Sequence, residues 1–71
     1  MDTNKLLAVR TKLKLTQEAM AALLRVSLVG YKRFESGTRP IPAYVAFGVR
    51  AVEFLHKHDL LESFEVFSKR H

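Results

Sequence analysis

Two short helical segments separated by only about three residues constrain the fold of this 71-residue chain most strongly. Thr16 and Ser27 are good N-cap residues for these segments, because a hydroxyl oxygen can accept a hydrogen bond from an unpaired N–H of the first turn. Gly37 suits the position just after the second segment, where a left-handed residue often ends a helix. The residues of the first segment that we expect to be buried are Met20, Leu23 and Leu24. The pattern predicts two helices joined by a tight turn over about residues 16–36.

The remaining sequence also favours helices, so we predict an all-α domain of five helices over residues 1–71. The first helix should cover about residues 4–13, with Thr3 as its N-cap. Pro42 suits the first turn of a fourth helix, and Asp59 begins a capping-box-like pattern for a fifth. No repeat, linker or low-complexity segment divides the chain, and period-2 alternation never persists long enough to predict strands.

The composition is that of one small globular domain. Hydrophobic residues make up 48% of the chain, which has only three Gly and two Pro, so a disordered tail does not fit. There is no cysteine, which excludes disulfides and thiolate metal sites and makes a reducing cytoplasm the expected location. The N-terminus does not resemble a signal peptide, and the longest apolar run, residues 43–49, is too short for a membrane span.

The positive charge is concentrated in the first half of the chain. Residues 1–40 carry eight Lys and Arg against three Asp and Glu, whereas residues 41–71 carry four of each. The whole net charge of +5 therefore belongs to the first half. This asymmetry predicts that the first half faces a polyanion and that the second half has another role.

The third predicted helix separates its cations from its aromatic residues. At about 100° per residue, Tyr31 and Phe34 fall on one arc. The opposite arc carries Leu28, Val29, Lys32, Arg33 and Ser36. Cations and aliphatic side chains on one face suit the reading of base edges in a major groove, while aromatic residues anchor the helix to its core. The alternative is an ordinary amphipathic surface helix with two solvated cations.

The order of residues extends this interpretation. The stretch LTQEAMAALLRVSLVGYKRFESGTRPIP resembles the Cro/C1-type (XRE) helix-turn-helix family. The matching residues are Leu15, Thr16, Gln17, Glu18, Ala21, Val26, Ser27, Phe34, Glu35, Gly37, Arg39 and Pro40. The resemblance implies a lambda-repressor-like domain that binds double-stranded DNA. The following segment, RPIPAYVAFGVRAVEFL, looks more distantly like small phage-type regulators, including anti-CRISPR-associated repressors.

The resemblance also implies roles for individual residues. The positions that read bases in the family correspond here to Leu28, Val29, Lys32 and Arg33. The residues that we expect to contact the DNA backbone are Gln17, Arg25, Ser27, Ser36, Thr38 and Arg39. Simple helix capping is an alternative for Ser27, and a solvated loop is an alternative for Thr38. Arg10 and Glu35 match a pair that forms a structural salt bridge in the family.

Two positions depart from the family pattern. Arg25 stands in the turn between helices two and three, where the family usually has Gly; a positive φ there would cost roughly 1 kcal/mol. Gly30 replaces a small hydroxyl residue, and we expect close packing against another helix to be the reason.

The second half of the chain is predicted to form a homodimer. Its fourth and fifth helices, about residues 42–68, carry more apolar residues than one core contact would cover. The expected interface residues are Phe54, Leu55, Leu60, Phe64 and Phe67. A C2 dimer would place two recognition helices in successive major grooves of a palindromic operator. The expected function is a transcriptional repressor, acting on its own operon in a phage or anti-CRISPR setting and held at the nucleoid through DNA.

The sequence fits other functions less well. The three histidines, His56, His58 and His71, do not form a metal-binding or catalytic pattern, and no phosphate-binding glycine loop or nucleophile setting exists, so we expect no cofactor, no metal and no catalysis. The main alternative is a protein-interaction module, such as an antitoxin or a regulator that binds RNA polymerase. RNA binding is disfavoured because no sheet or splayed-base platform is indicated.

Overall fold

The computed structural model describes residues 1–62, which form an all-α domain with four helices. These are α1 (Thr3–Lys12), α2 (Gln17–Leu24), α3 (Leu28–Ser36) and α4 (Ala43–Lys57). The predicted number of five therefore differs from the four observed in this part of the chain, and most of the predicted fifth helix lies outside it. Asp59 and Leu60 are not helical, so the predicted start at Asp59 is too early. No helix within residues 1–62 is long and apolar enough to cross a membrane.

Local capping chemistry sets most of the helix ends. Thr16 Oγ1 accepts a hydrogen bond from Ala19 N at 3.0 Å, and Ser27 Oγ accepts one from Gly30 N at 3.0 Å, as predicted. Gly37 ends α3 in the left-handed region with φ of 79°. Pro42 is the N-cap of α4 and does not lie within its first turn.

The predicted cap at Thr3 is wrong. Asp2 is the N-cap of α1, and its carboxylate accepts a hydrogen bond from Lys5 N at 2.7 Å. The hydroxyl of Thr3 instead donates to the carbonyl of Phe34 at 3.2 Å. This bond joins the start of α1 to the last turn of α3, so a long-range contact uses the group that a local rule assigned to capping.

The core lies where the four helices meet. α3 packs against α1 and α2, and α4 packs against α2 and α1. The buried side chains are Leu6, Val9, Leu13, Met20, Ala21, Tyr31, Phe34, Val45, Val49 and Val52. Leu23 and Leu24 are only partly buried at the edge of this core, so the predicted buried stripe of α2 is correct for Met20 alone.

Gly48 and Gly30 each leave space for a different neighbouring group. A β-carbon at Gly48 would lie 2.9 Å from Leu24 Cδ2, so α4 approaches α2 closely at this point. A β-carbon at Gly30 would lie 3.0 Å from Ser27 Oγ, the hydroxyl that caps the same helix. The expectation that Gly30 allows packing against another helix is therefore wrong, because the space that it leaves is taken by its own N-cap and by Arg39, whose Nη1 is 3.8 Å away.

Replacing Gly37 by Ala is expected to destabilise the domain by about 1 kcal/mol, because an L-residue with a β-carbon is strained at positive φ. Urea unfolding would measure the loss. Gly37→Asn is the matched control, since Asn tolerates the left-handed region and should lose less. Equal stability of the Ala variant and the native protein would contradict the assigned conformation.

Candidate nucleic-acid interface

One face of α3 is exposed and carries two cations. Tyr31 and Phe34 are buried on the opposite face, with Tyr31 fully inaccessible to solvent. Lys32 and Arg33 are exposed, and Val29 is 62% exposed. Leu28 differs from these three because it is partly buried and packs against the core. The outward edge of α3 is therefore formed by Val29, Lys32 and Arg33, with Leu28 at its margin.

The turn between α2 and α3 contains a cationic residue, Arg25, in a left-handed backbone conformation that is unusual for a non-glycine residue. Arg25 is the C-cap of α2, with φ of 60° and ψ of 38°, and its N–H bonds the carbonyls of Ala21 and Ala22. A non-glycine residue in this left-handed conformation costs roughly 1 kcal/mol. Lys14, in the turn between α1 and α2, has a similar φ of 57°. Two exposed cations thus occupy the two tight turns of the first half.

Ser27 and Arg39 are brought together at the N-terminal end of α3. Ser27 Oγ and Arg39 Nη1 both border the position that a β-carbon of Gly30 would occupy. The backbone of Arg39 is held by a hydrogen bond from its N–H to the carbonyl of Arg33 at 3.2 Å. A guanidinium beside the positive end of a helix dipole is a favourable arrangement for a phosphate group.

The other end of α3 carries two exposed hydroxyl groups that bond each other. Ser36 Oγ and Thr38 Oγ1 are 2.8 Å apart, and Ser36 Oγ also lies 3.1 Å from the carbonyl of Arg33, to which it donates. The loop conformation after Gly37 therefore depends partly on this pair. Both residues are exposed, and Arg39 N donates to the same Arg33 carbonyl.

A hydrogen-bonded network joins α1, α2 and α3 beneath this surface. Arg10 Nε donates to Glu35 Oε2 at 2.6 Å and its Nη2 donates to Glu35 Oε1 at 3.2 Å. Arg10 Nη1 also donates to the carbonyl of Leu15 at 2.9 Å. Gln17 Nε2 donates to Glu35 Oε1 at 3.0 Å, which places the Gln17 side chain in the same network. The Arg10 and Glu35 side chains are 19% and 8% exposed, so the pair is largely withdrawn from water.

A family profile for helix-turn-helix domains matches residues 6–49, which is more than half of the chain and includes most of α1, all of α2 and α3, and the first part of α4. The chain belongs to the Cro/C1-type (XRE) helix-turn-helix family. Comparison with curated proteins and with solved structures found no match. Family membership makes this helix-turn-helix domain a DNA-binding domain of a transcription regulator.

In this helix-turn-helix domain, the network of Arg10, Gln17 and Glu35 shifts the pKa values of its ionisable groups. Burial by itself would raise the pKa of the Glu35 carboxyl, but the hydrogen bonds that it accepts from Arg10 and Gln17 outweigh burial and hold its pKa below the ordinary value. The hydrogen bond to Glu35 raises the pKa of Arg10. Burial raises the pKa of Tyr31, whose hydroxyl makes no hydrogen bond of good geometry to any residue in the described part of the chain.

Stability is expected to fall on acidification because of Glu35. Its pKa is lowered in the folded state, so its contribution is fully present above its ordinary pKa of 4.5 and is lost as the pH falls from there through the lowered value. Urea unfolding of the native protein and of Glu35→Gln should therefore give a stability difference that shrinks below about pH 4.5. A difference that stays constant over this range would contradict the lowered pKa.

The structure separates the apolar residues of α4 into a core-facing stripe and an exposed stripe. Val45, Val49 and Val52 face the core, whereas Tyr44 and Phe47 are exposed, Phe47 to 75%. Of the predicted interface residues, Phe54 and Leu60 are exposed and Leu55 is partly buried. Phe64 and Phe67 lie outside the described residues. The sequence did show more apolar residues in α4 than one stripe needs, but Tyr44 and Phe47 were not assigned to the interface.

Proposed function

We propose that this helix-turn-helix domain is a dimeric repressor that reads a palindromic operator through α3. The observation that carries the proposal is the division of α3 into a buried aromatic face and an exposed edge of Val29, Lys32 and Arg33. A helix anchored by Tyr31 and Phe34 presents this edge without needing to rearrange. Such an edge can enter a major groove as a rigid unit.

Base reading is assigned to four side chains. The Arg33 guanidinium matches the two acceptors that guanine presents in the major groove, so it can form a bidentate contact. Lys32 can reach a further acceptor, and Val29 can contact a thymine methyl group. Leu28 has the same chemistry as Val29, but because it packs partly against the core it would contribute only where the groove wall approaches the start of α3.

Backbone contacts are assigned to residues that surround this edge. Ser27 and Arg39 lie together at the N-terminal end of α3, where a phosphate is favoured. The remaining backbone contacts are assigned to Gln17, Arg25, Ser36 and Thr38. Because the Gln17 amide also bonds Glu35, its orientation toward a phosphate would be set by the network. Contacts of this kind fix the register of the protein on DNA without carrying sequence information.

Dimerisation is assigned to the second half of the chain. The exposed Phe54 and Leu60, with Leu55 between them, form the described part of the proposed interface. Tyr44 and Phe47 extend the exposed apolar surface along the same helix. In a C2 dimer the two α3 helices would lie about 34 Å apart, which matches one turn of DNA. Binding across a promoter would block transcription, including that of the protein's own operon.

Selection of bound duplexes from a random pool tests this function. We expect the recovered sequences to converge on a palindrome whose half-site centres are about 10 base pairs apart. Binding should weaken with salt with a log–log slope of about −0.9 for each phosphate neutralised. Recovery of no preferred sequence, together with an affinity that does not depend on salt, would argue against DNA as the partner.

Sedimentation tests the dimer separately. We expect dimers at micromolar concentration and a shift toward monomers in Leu60→Asp, because a charge on an apolar interface is unfavourable. Lys5→Asp is the control, since Lys5 is exposed in α1, is not one of the proposed interface residues and should leave association unchanged. If the native protein sediments only as a monomer, both with and without operator DNA, the dimer is wrong even where single half-sites are bound.

A protein-interaction module is the second candidate, and the exposed aromatic stripe of α4 is the observation that favours it. Tyr44 and Phe47 are too exposed to stabilise the fold by burial, so they are available to a protein partner such as a toxin or an RNA polymerase subunit. The salt titration separates this candidate from the first, because a largely apolar protein contact would show a shallow dependence on salt.

A further inference from the structure

A groove with a volume of about 500 Å³ lies between the C-terminal end of α1 and the second half of α4. Its described lining residues come only from these two helices, so it is separate from the outward edge of α3. The residues that line it are Lys12, Arg50, Glu53, Phe54, His56 and Lys57. Besides the excess positive charge of residues 1–40, the domain thus has a second, smaller cationic surface in this groove.

The charges of the groove do not cancel. Lys12 Nζ lies 3.8 Å from Glu53 Oε2, so these two groups largely neutralise each other. Arg50 and Lys57 are exposed, and neither has a carboxylate oxygen within 4.0 Å among residues 1–62. They are seven residues apart, which places them on the same side of α4 two turns from each other. Two cations that have no carboxylate partner in the described part of the chain therefore lie along one wall.

The groove also has an apolar contact point. Phe54 is 58% exposed, and its ring centroid lies 4.4 Å from that of His58 at an interplanar angle of 43°. The contact with His58 limits the positions that the Phe54 ring can take. An exposed aromatic ring next to two cations suits a ligand that combines an apolar group with carboxylates.

We propose that this groove binds an acidic segment of a partner protein, with an apolar side chain on Phe54 and carboxylates at Arg50 and Lys57. The Arg50 guanidinium can hold a carboxylate bidentately, and Lys57 adds a second charge-assisted contact. The inference goes beyond operator binding, since none of these residues belongs to α3 or to the loops around it. It would give the DNA-bound domain a separate surface for a second protein.

Two other occupants fit the groove less well. A nucleic-acid backbone could use the two cations but would leave the exposed Phe54 ring without an apolar partner. A second copy with its two-fold axis running through the groove would bring the Arg50 and Lys57 side chains of both chains together, because such an interface is self-complementary. Like charges in that position repel, so the groove favours a different, acidic chain.

Selection from a display library of random peptides on the immobilised full chain tests the inference. We expect the enriched peptides to be rich in Asp and Glu next to an aromatic or aliphatic residue. The strongest of them, made synthetically, should perturb the amide NMR signals of Arg50, Phe54 and Lys57 and leave those of Val29, Lys32 and Arg33 unchanged. Arg50→Glu should weaken its binding roughly tenfold, since charge reversal replaces attraction by repulsion.

Lys5→Glu is the matched control, because it changes the net charge by the same amount on an exposed site outside the groove. It should leave peptide affinity unchanged, and both variants should keep the native thermal unfolding transition. The inference is overturned if the selected peptides show no acidic enrichment or map to α3, or if Lys5→Glu weakens binding as much as Arg50→Glu. It is also overturned if a random DNA duplex displaces the peptide from these signals, or if Arg50→Glu changes the association state of the chain.

Peptide binding and operator binding have separate readouts. Phe54 is shared with the proposed dimer interface, so a bound acidic segment and a dimer contact at Phe54 would exclude each other. Loss of operator binding in Arg33→Ala would bear on α3 alone, whereas peptide binding depends on α1 and α4. A protein that binds DNA but no acidic peptide would keep the first proposal and lose the second. The tests use Arg50 because Phe54 also belongs to the proposed dimer interface, where its replacement would affect both.

Discussion

Arg33→Ala is expected to weaken operator binding by about 1 to 3 kcal/mol and to relax the preference at one base pair in each half-site. Arg33 is exposed on the outward edge of α3, and Phe34 and Tyr31 hold the helix beneath it. Removing the guanidinium should therefore delete a base contact and leave the fold intact. Affinity for the selected operator, and for operators changed at single positions, would measure both effects.

Arg39→Ala is the matched comparison, because it removes the same charged group from the surface outside the outward edge. Arg39 lies beside Ser27 at the N-terminal end of α3, where we assign a phosphate contact. Its loss should weaken binding to all sequences alike and reduce the salt slope by about one phosphate. Unchanged operator affinity in a folded Arg33→Ala protein would overturn the assignment of α3 as the recognition helix.

Arg10→Met is expected to cost about 3 kcal/mol of folding stability, because it leaves the Glu35 carboxylate largely buried and without its main partner. For a domain of this size the total stability is only about 4 to 10 kcal/mol, so the variant should be close to unfolding at moderate temperature. Urea unfolding would measure the change in the free energy of unfolding.

A double-mutant cycle would show whether the loss of folding stability comes from the interaction between Arg10 and Glu35. Combining Arg10→Met with Glu35→Leu should lose less than the sum of the single changes, because no unpaired charge is left. Lys12→Met is the control, since the Lys12–Glu53 pair is much more exposed and should contribute less than about 1 kcal/mol. Additive losses at positions 10 and 35 would show that the two side chains act independently.

The parts of the fold that the sequence predicted well are those governed by short-range chemistry. Thr16 and Ser27 cap their helices because a hydroxyl three residues before an unpaired N–H is sufficient for that bond. Gly37 ends α3 because positive φ is cheap only for glycine. The division of α3 into an aromatic and a cationic face follows from helical spacing alone.

The wrong predictions at Thr3 and Gly30 concern which group each residue contacts. Thr3 looks like a cap, but its hydroxyl bonds a carbonyl thirty-one residues away and Asp2 caps the helix. Gly30 looks like a packing glycine, but its neighbours are Ser27 and Arg39. The choice between such partners depends on how the chain returns on itself, which periodicity does not specify.

The sequence by itself determined the all-α class and the family, and it supplied the proposal for the residues that read or bind DNA, because each rests on local spacing and residue type. Only the tertiary structure decided which of these residues are exposed at the surface. It partly buried Leu28, held Gln17 in the Arg10–Glu35 network and exposed Tyr44 and Phe47 on α4. It also brought Lys12 to Arg50 and Lys57, forming a groove from residues that are far apart in the sequence. These arrangements depend on the relative placement of whole helices, which is set by packing of the shared core.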